Sequence, residues 1–137
     1  VGSRMHLVRC SGDRIIIDDC YNANPTSDCA AIDSLSALGG RRVCILGDML
    51  EMGENAPALH RSVGEYAAGH GVDLLIAQGE LAKHIAEGAG ETGVYFQDRA
   101  ELLSKLPELI RPGDAVLVKA SHGAHFEEIS EAVKQLA

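Results

Sequence analysis

No stretch of this 137-residue sequence stays apolar for the roughly 18 residues that a helix needs to cross a bilayer, so a membrane-spanning helix is not expected. Basic residues are scarce: 12 Lys and Arg stand against 20 Asp and Glu, a formal charge of −8. Phosphate backbones are bound by clustered Lys and Arg, so nucleic acid is excluded as the main partner. The four cysteines, Cys10, Cys20, Cys29 and Cys44, form neither a C-x-x-C pair nor a dense framework and are read as reduced thiols. The six histidines lack H-x-x-x-H spacing, and no metal site is expected. The opening residues carry no basic stretch ahead of an apolar one, so no secretory leader is expected, and they include no initiator methionine, which suits a boundary inside a longer chain. No repeat, linker or low-complexity tract divides the sequence. Its length and 46% hydrophobic content suit one domain with its own core.

A triphosphate cradle is also missing. The nearest approach to G-x-x-x-x-G-K-[ST] is Gly64 to His70, which lacks the lysine and the hydroxyl and lies in a helical pattern.

What is present is an alternation of short apolar runs and longer helical patterns. Met5 to Cys10 and Arg14 to Asp18 read as a hairpin across Ser11-Gly12-Asp13. Thr26 or Ser27 is expected to cap a helix to about Leu38, with Gly39-Gly40 as its stop. Strands follow at Arg42 to Leu46, Val72 to Ala77, Gly93 to Phe96 and Ala115 to Lys119. The helices between and after them are read as Ala58 to Gly69, Gly79 to Ala89, one capped by Asp98, and about His125 to Leu136. Such alternation implies βαβ units. The expected fold is α/β: a Rossmann-like three-layer domain with a mostly parallel sheet and an antiparallel N-terminal edge hairpin.

Ligands of open α/β sheets gather beyond the carboxyl ends of the strands. Those ends carry Asp18-Asp19 with Tyr21, Gly47-Asp48-Met49, Gln78-Gly79, and Lys119 with Ser121 and His122. Polar groups thus collect at one rim, as a binding site requires. Adjacent strand residues point to opposite faces, so Asp18 and Asp19 are not expected to serve one ligand.

Four stretches in order resemble one family. Asp19-Cys20-Tyr21-Asn22-Ala23-Asn24-Pro25-Thr26-Ser27 resembles the D-x-Y-N-A-N-P-x-S segment of Mur ligases of the D-alanyl-D-alanine-adding branch. Leu46 to Glu54 resembles their L-G-D-M-x-E-L-G-E, followed by a histidine where His60 stands. Val118-Lys119-Ala120-Ser121-His122 resembles V-K-G-S-R, and Arg4 precedes Asp19 by the spacing at which these ligases place an arginine.

The resemblance implies the C-terminal domain of an ATP-dependent amide ligase of peptidoglycan synthesis. ATP and Mg²⁺ would be held largely by a central domain, and a UDP-N-acetylmuramoyl-tripeptide by an N-terminal one, neither within these residues. In such enzymes a peptide carboxylate is activated as an acyl phosphate and displaced by the incoming amine, which demands charge neutralisation and positioning. By resemblance, Arg4, Asp19, Tyr21, Asn22 and Asn24 fall on the ATP side. Asp48, Met49, Lys119, Ser121 and His122 fall on the side of the acceptor, D-alanyl-D-alanine. Within that set Asp48 is expected to take the dipeptide's ammonium and Lys119 its carboxylate. The domain alone is expected to be cytoplasmic, non-catalytic and without a tightly bound cofactor.

Departures from the family pattern are Asp28 and Cys29, in place of a methionine and a basic residue, Ala120 for glycine, and His122 for an arginine. The last replaces a fixed charge and bidentate carboxylate partner with an imidazole. Other readings are a different Mur or folylpolyglutamate-synthase-like ligase domain, a phosphoacceptor signalling domain, or a plain nucleotide-binding module.

Overall fold

The structure is a computed structural model and describes residues 6–137. Six strands form one sheet: β1 His6–Cys10, β2 Arg14–Asp19, β3 Arg42–Leu46, β4 Leu74–Gln78, β5 Gly93–Phe96 and β6 Ala115–Lys119. Their spatial order is β1-β2-β6-β3-β4-β5, with β1 antiparallel to β2 and every other pairing parallel. Five helices connect and follow them: α1 Pro25–Ser36, α2 Ala56–Gly69, α3 Ala82–Ala89, α4 Arg99–Leu109 and α5 Glu127–Lys134. This is the α/β, three-layer arrangement that the alternation predicts.

The layering follows from the pleat. Ile17, Cys44, Leu46, Leu75, Ala115 and Leu117 face one way and pack with Ile32, Leu35, Val63 and Ile85 of α1, α2 and α3. Their chain neighbours Ile16, Val43, Ile45, Ile76, Val116 and Val118 face the other way, against Leu102, Leu106, Ile129 and Val133 of α4 and α5. Successive side chains of a strand alternate between faces, so a continuous apolar run supplies both cores.

Helix starts depart from expectation where a cap or a backbone angle intervenes. Asn24, not Thr26 or Ser27, caps α1: its side chain accepts from the Ser27 N–H at 2.8 Å, and Pro25 takes the first helical position, where no N–H is needed. Pro57 takes the second position of α2, also within the first turn, and that helix begins at Ala56 instead of Ala58. The third helix starts at Ala82, not Gly79, because Gly79 adopts φ 134°. The last starts at Glu127 because His125 sits at φ 56°, outside the helical region. Asp98 does cap α4, accepting from the Ala100 N–H. At the amino ends of the strands Asp114 accepts two bonds from the Arg41 guanidinium, at 3.0 and 2.9 Å, and fastens β3 beside β6.

Candidate functional site

Neighbouring strands β2, β6 and β3 end together, and the residues singled out from sequence leave from there. Asp18 and Asp19 diverge as the pleat requires. The Asp18 carboxylate turns to α5, accepting from Ser130 Oγ at 2.7 Å and Lys134 Nζ at 3.0 Å, and from the Cys20 thiol at 3.0 Å. Burial alone would raise its pKa, but these three bonds outweigh burial and hold it below the usual value.

Asp19 lies on the opposite face, opposite Lys119 in the parallel register. Lys119 Nζ donates to Asp19 Oδ2 at 2.5 Å and to the Asn22 carbonyl at 2.7 Å, and lies 3.9 Å from Asp28 Oδ1. All three charged side chains are out of solvent: Lys119 and Asp28 at 0% exposure, Asp19 at 1%. One ammonium therefore faces two carboxylates in a dry pocket between the sheet and α1. Neither Asp28 oxygen has a hydrogen-bond partner. Burial pushes the Asp28 carboxyl up to about 7, Lys119 lowering it and Asp19 adding to the rise.

Besides a space of about 310 Å³ on the Asp18 side, two clefts open on this rim beside Asn22 and Asn24. A space of about 430 Å³ is lined by Asp19, Asn22, Asn24, Thr26 and Ser27. Asp19 Oδ1 is buried behind this lining and has no hydrogen-bond partner. A second space of about 350 Å³ is lined by Tyr21, Asn22, Asn24, Glu51, Ser121 and His122. Asn22 and Asn24 line both and form their common wall. Tyr21 is 59% exposed, and its ring meets that of His122 edge-on at 5.3 Å. Ser121 Oγ accepts from the Leu50 N–H at 2.9 Å, and its own N–H donates to the Asp48 carbonyl at 3.1 Å, joining the loops after β6 and β3. Glu51, which sequence reasoning left without a role, enters the second cleft from a left-handed backbone at φ 63°. A non-glycine residue with positive φ inside a family motif is visible only once the backbone is known.

Three expected site residues are placed elsewhere. Lys119 is buried and donates to Asp19 and the Asn22 carbonyl. Met49 is at 0% exposure in the core, so its side chain touches no ligand from there. Asp48 does not line the second cleft. Its Oδ1 accepts from the N–H groups of Leu81 and Ala82 at 3.0 and 2.8 Å and caps α3. Asp48→Ala is therefore expected to cost about 1 kcal/mol of stability, as the loss of a helix cap does. Denaturant midpoints check this, and no change would mean that water replaces the carboxylate without loss. His60 is a structural residue as well. Buried Nε2 accepts from the Met49 N–H at 2.9 Å and Nδ1 is 2.7 Å from the Ala56 carbonyl, the pattern of a neutral ring, and burial lowers its pKa. Arg4 lies outside the described residues. Among the described residues no group of three or more His, Cys, Asp or Glu is placed to hold a metal ion, and no helix is long and apolar enough to cross a membrane.

Comparison with known proteins agrees with these features. The family model for the Mur ligase, glutamate ligase domain, matches residues 3–122. UDP-N-acetylmuramoyl-tripeptide–D-alanyl-D-alanine ligase of Escherichia coli (strain K12) is 34% identical over 137 residues, covering 98% of this chain and 30% of that protein. The enzyme of that name from Bacillus subtilis (strain 168) is 35% identical over 135 residues, covering 93% of this chain and 30% of the relative. Among solved structures, MurF from Acinetobacter baumannii superposes with a TM-score of 0.89 at 30% identity, over 98% of this chain and 30% of that one. MurF ligase from Thermotoga maritima in complex with ADP gives 0.84 at 25% identity, over 98% and 31%. The chain thus spans about 30% of the length of the relatives it matches. With a family match along most of its length and a sheet rim that carries the family's residues, the chain belongs to the Mur ligase family.

Proposed function

We propose that this chain is the C-terminal, acceptor-binding domain of an ATP-dependent ligase that joins D-alanyl-D-alanine to UDP-N-acetylmuramoyl-tripeptide in the bacterial cytoplasm. The observation that carries the reading is the pair of clefts with one wall in common. A ligase of this kind must bring a nucleotide and an amine-bearing acceptor to one place, and proximity is most of what it supplies.

The first cleft suits the nucleotide's sugar. Asn22, Asn24, Thr26 and Ser27 line it with amide and hydroxyl groups that pair with ribose hydroxyls, and Asp19, buried behind them, is proposed for the nucleotide side on its motif position. Tyr21 lines the second cleft instead and is proposed for the nucleotide side on its motif position. The residues present fit that part of ATP only: no glycine-rich loop with a lysine is there for the phosphates, so phosphates and Mg²⁺ fall to a central domain. ATP supplies the phosphoryl group that activates the tripeptide's carboxylate, while this chain binds and orients. Arg4 is proposed for the nucleotide side on its motif position alone.

The second cleft suits the dipeptide. Ser121 and His122 offer donors to a carboxylate, and Glu51 offers a carboxylate to an ammonium. These take the place of Lys119 and Asp48 in the expected acceptor set. A phosphoacceptor role gains no support, because Asp19 is buried against Lys119 and Asp48 caps a helix.

The test is phosphate release by the chain joined to the remaining domains of its ligase, with ATP, Mg²⁺, UDP-muramoyl-tripeptide and D-alanyl-D-alanine, each omitted in turn. Release is expected only with all four, and none from the 137 residues alone. Release with another amino acid in place of the dipeptide would move the specificity, and His122→Arg is the first variant to compare.

A further inference from the structure

Asp28 is absorbed by none of these roles. It is a departure from the family pattern, fully buried, with both carboxylate oxygens unpartnered and Lys119 Nζ 3.9 Å away. Lys119 meanwhile makes two close bonds, to Asp19 and to the carbonyl of Asn22. A buried carboxylate without hydrogen bonds is costly when ionised and tolerable when protonated. An ionised Asp28 therefore competes with Asp19 for the one ammonium between them. A neutral Asp28 leaves the Lys119–Asp19 pair balanced and the Asn22 carbonyl held.

We propose that Asp28 is a positioning residue whose proton sets how firmly Lys119 holds Asp19 and the Asn22 carbonyl, and through them the wall common to the two clefts. The proposal deepens the ligase reading in its last step only, the effect on ligands. The lever is local. Asn22 and Asn24 form that wall, Asn24 also caps α1, and Asp28 lies on the first turn of the same helix with its N–H donated to the Asn24 carbonyl at 2.8 Å. A shift of Lys119 toward Asp28 pulls on both ends of the segment from residue 19 to residue 28.

The titratable groups that face Asp28 are few. Lys119 comes from β6 and Asp19 from β2, the Cys44 thiol lies on β3, and Cys29 adjoins it on α1. Tyr66 of α2 reaches α1 at Asp33 instead. Burial raises both thiols, which stay neutral across the range that matters here. The Asp28 carboxyl, raised from 3.8 to about 7, is the group whose charge changes near neutrality. Because the folded state holds this proton more tightly than the unfolded chain does, the associated stability is complete below about 3.8 and is lost as pH rises through about 7.

Two measurements on the full 137-residue chain decide the matter. The first is the thermal midpoint of wild type and Asp28→Asn. The wild-type midpoint is expected to fall by roughly 4 °C or more between about pH 5 and about pH 8, and the variant to lose that difference and be the more stable at the higher pH. Asp28→Met, the residue type of the family pattern, serves if the amide does not fold. The second follows the amide resonances of Asn22 and Asn24 by NMR against pH. They are expected to titrate with a midpoint near 7 in wild type and in Asp28→Glu, and not in Asp28→Asn. Parallel stability profiles, or an Asn22–Asn24 titration that persists without Asp28, would overturn the proposal. A failed ligase reading would show separately, as no turnover by the complete enzyme at any pH.

Discussion

Lys119→Met is expected to lower the stability of the chain by about 3–5 kcal/mol, the scale of breaking a buried ion pair from one side. The size follows from what stays behind. Asp19 and Asp28 remain at 1% and 0% exposure with no cation between them, and the Asn22 carbonyl loses its donor. Methionine preserves most of the volume, so packing contributes little to the loss and uncompensated charge most of it. The double variant Lys119→Met with Asp19→Asn is accordingly expected to regain at least about half of the deficit, because it removes the stranded charge. Urea midpoints at constant m separate these cases. A single variant within about 1 kcal/mol of wild type would mean that the lysine is not the hub described, and the acceptor-side role suggested by its motif position would return.

Gly64→Ala is the second large effect, and it concerns the scaffold beneath the site. A Cβ at Gly64 would overlap the Ile85 carbonyl oxygen and stand 2.8 Å from the Ala89 nitrogen. Gly88 mirrors it: a Cβ there would overlap the Arg61 carbonyl oxygen and stand 3.1 Å from the Glu65 nitrogen. Thus α2 and α3 cross backbone against backbone, each helix using its glycine where the other comes closest. Alanine normally improves a helix interior by about 1 kcal/mol over glycine. Here the obstacle is main chain, which no rotamer change relieves, so the helices must separate. Overpacking of this kind costs about 1–3 kcal/mol and more when backbone must move. A fall in the thermal midpoint of roughly 10 °C is expected. A midpoint equal to or above wild type would show that the crossing has room for a methyl group. The consequence reaches the rim, because α3 is the helix whose start is capped by Asp48.

These two variants also mark how far sequence reasoning reaches. Strands β3 and β6, buried on both faces, have the bounds that their apolar runs predict, as does the half-buried edge strand β5, whereas β4 runs Leu74–Gln78 instead of Val72 to Ala77. Opposed directions for Asp18 and Asp19 follow from strand alternation, and Asp98 was legible as a cap because its partner is two residues away. The collection of Asp19, Tyr21, Ser121 and His122 at one rim was legible too, from the rule that ligands gather beyond the carboxyl ends of parallel strands, with Asn22 and Asn24 added by the family resemblance. Glycines at 64 and 88, by contrast, carry no local sign that they face each other.

The division between the roles of Asp19 and Lys119 shows why the rest was hidden. One hundred residues separate the two in sequence, and only the placing of β6 between β2 and β3 makes them partners. Asp48 likewise caps a helix that begins more than thirty residues later, so its motif position said nothing of its bond. By itself the sequence determined the class of fold, the faces of the strands and the rim at which chemistry gathers, because hydrophobic periodicity and turn chemistry act over a few residues. Tertiary structure alone decided which charges share a pocket, which carboxylate is left unpaired and which motif residues are scaffold instead of site. Burial and ion pairing depend on strands brought together from distant parts of the chain, and in a dry interior those neighbours set whether a charge is held, shared or given up.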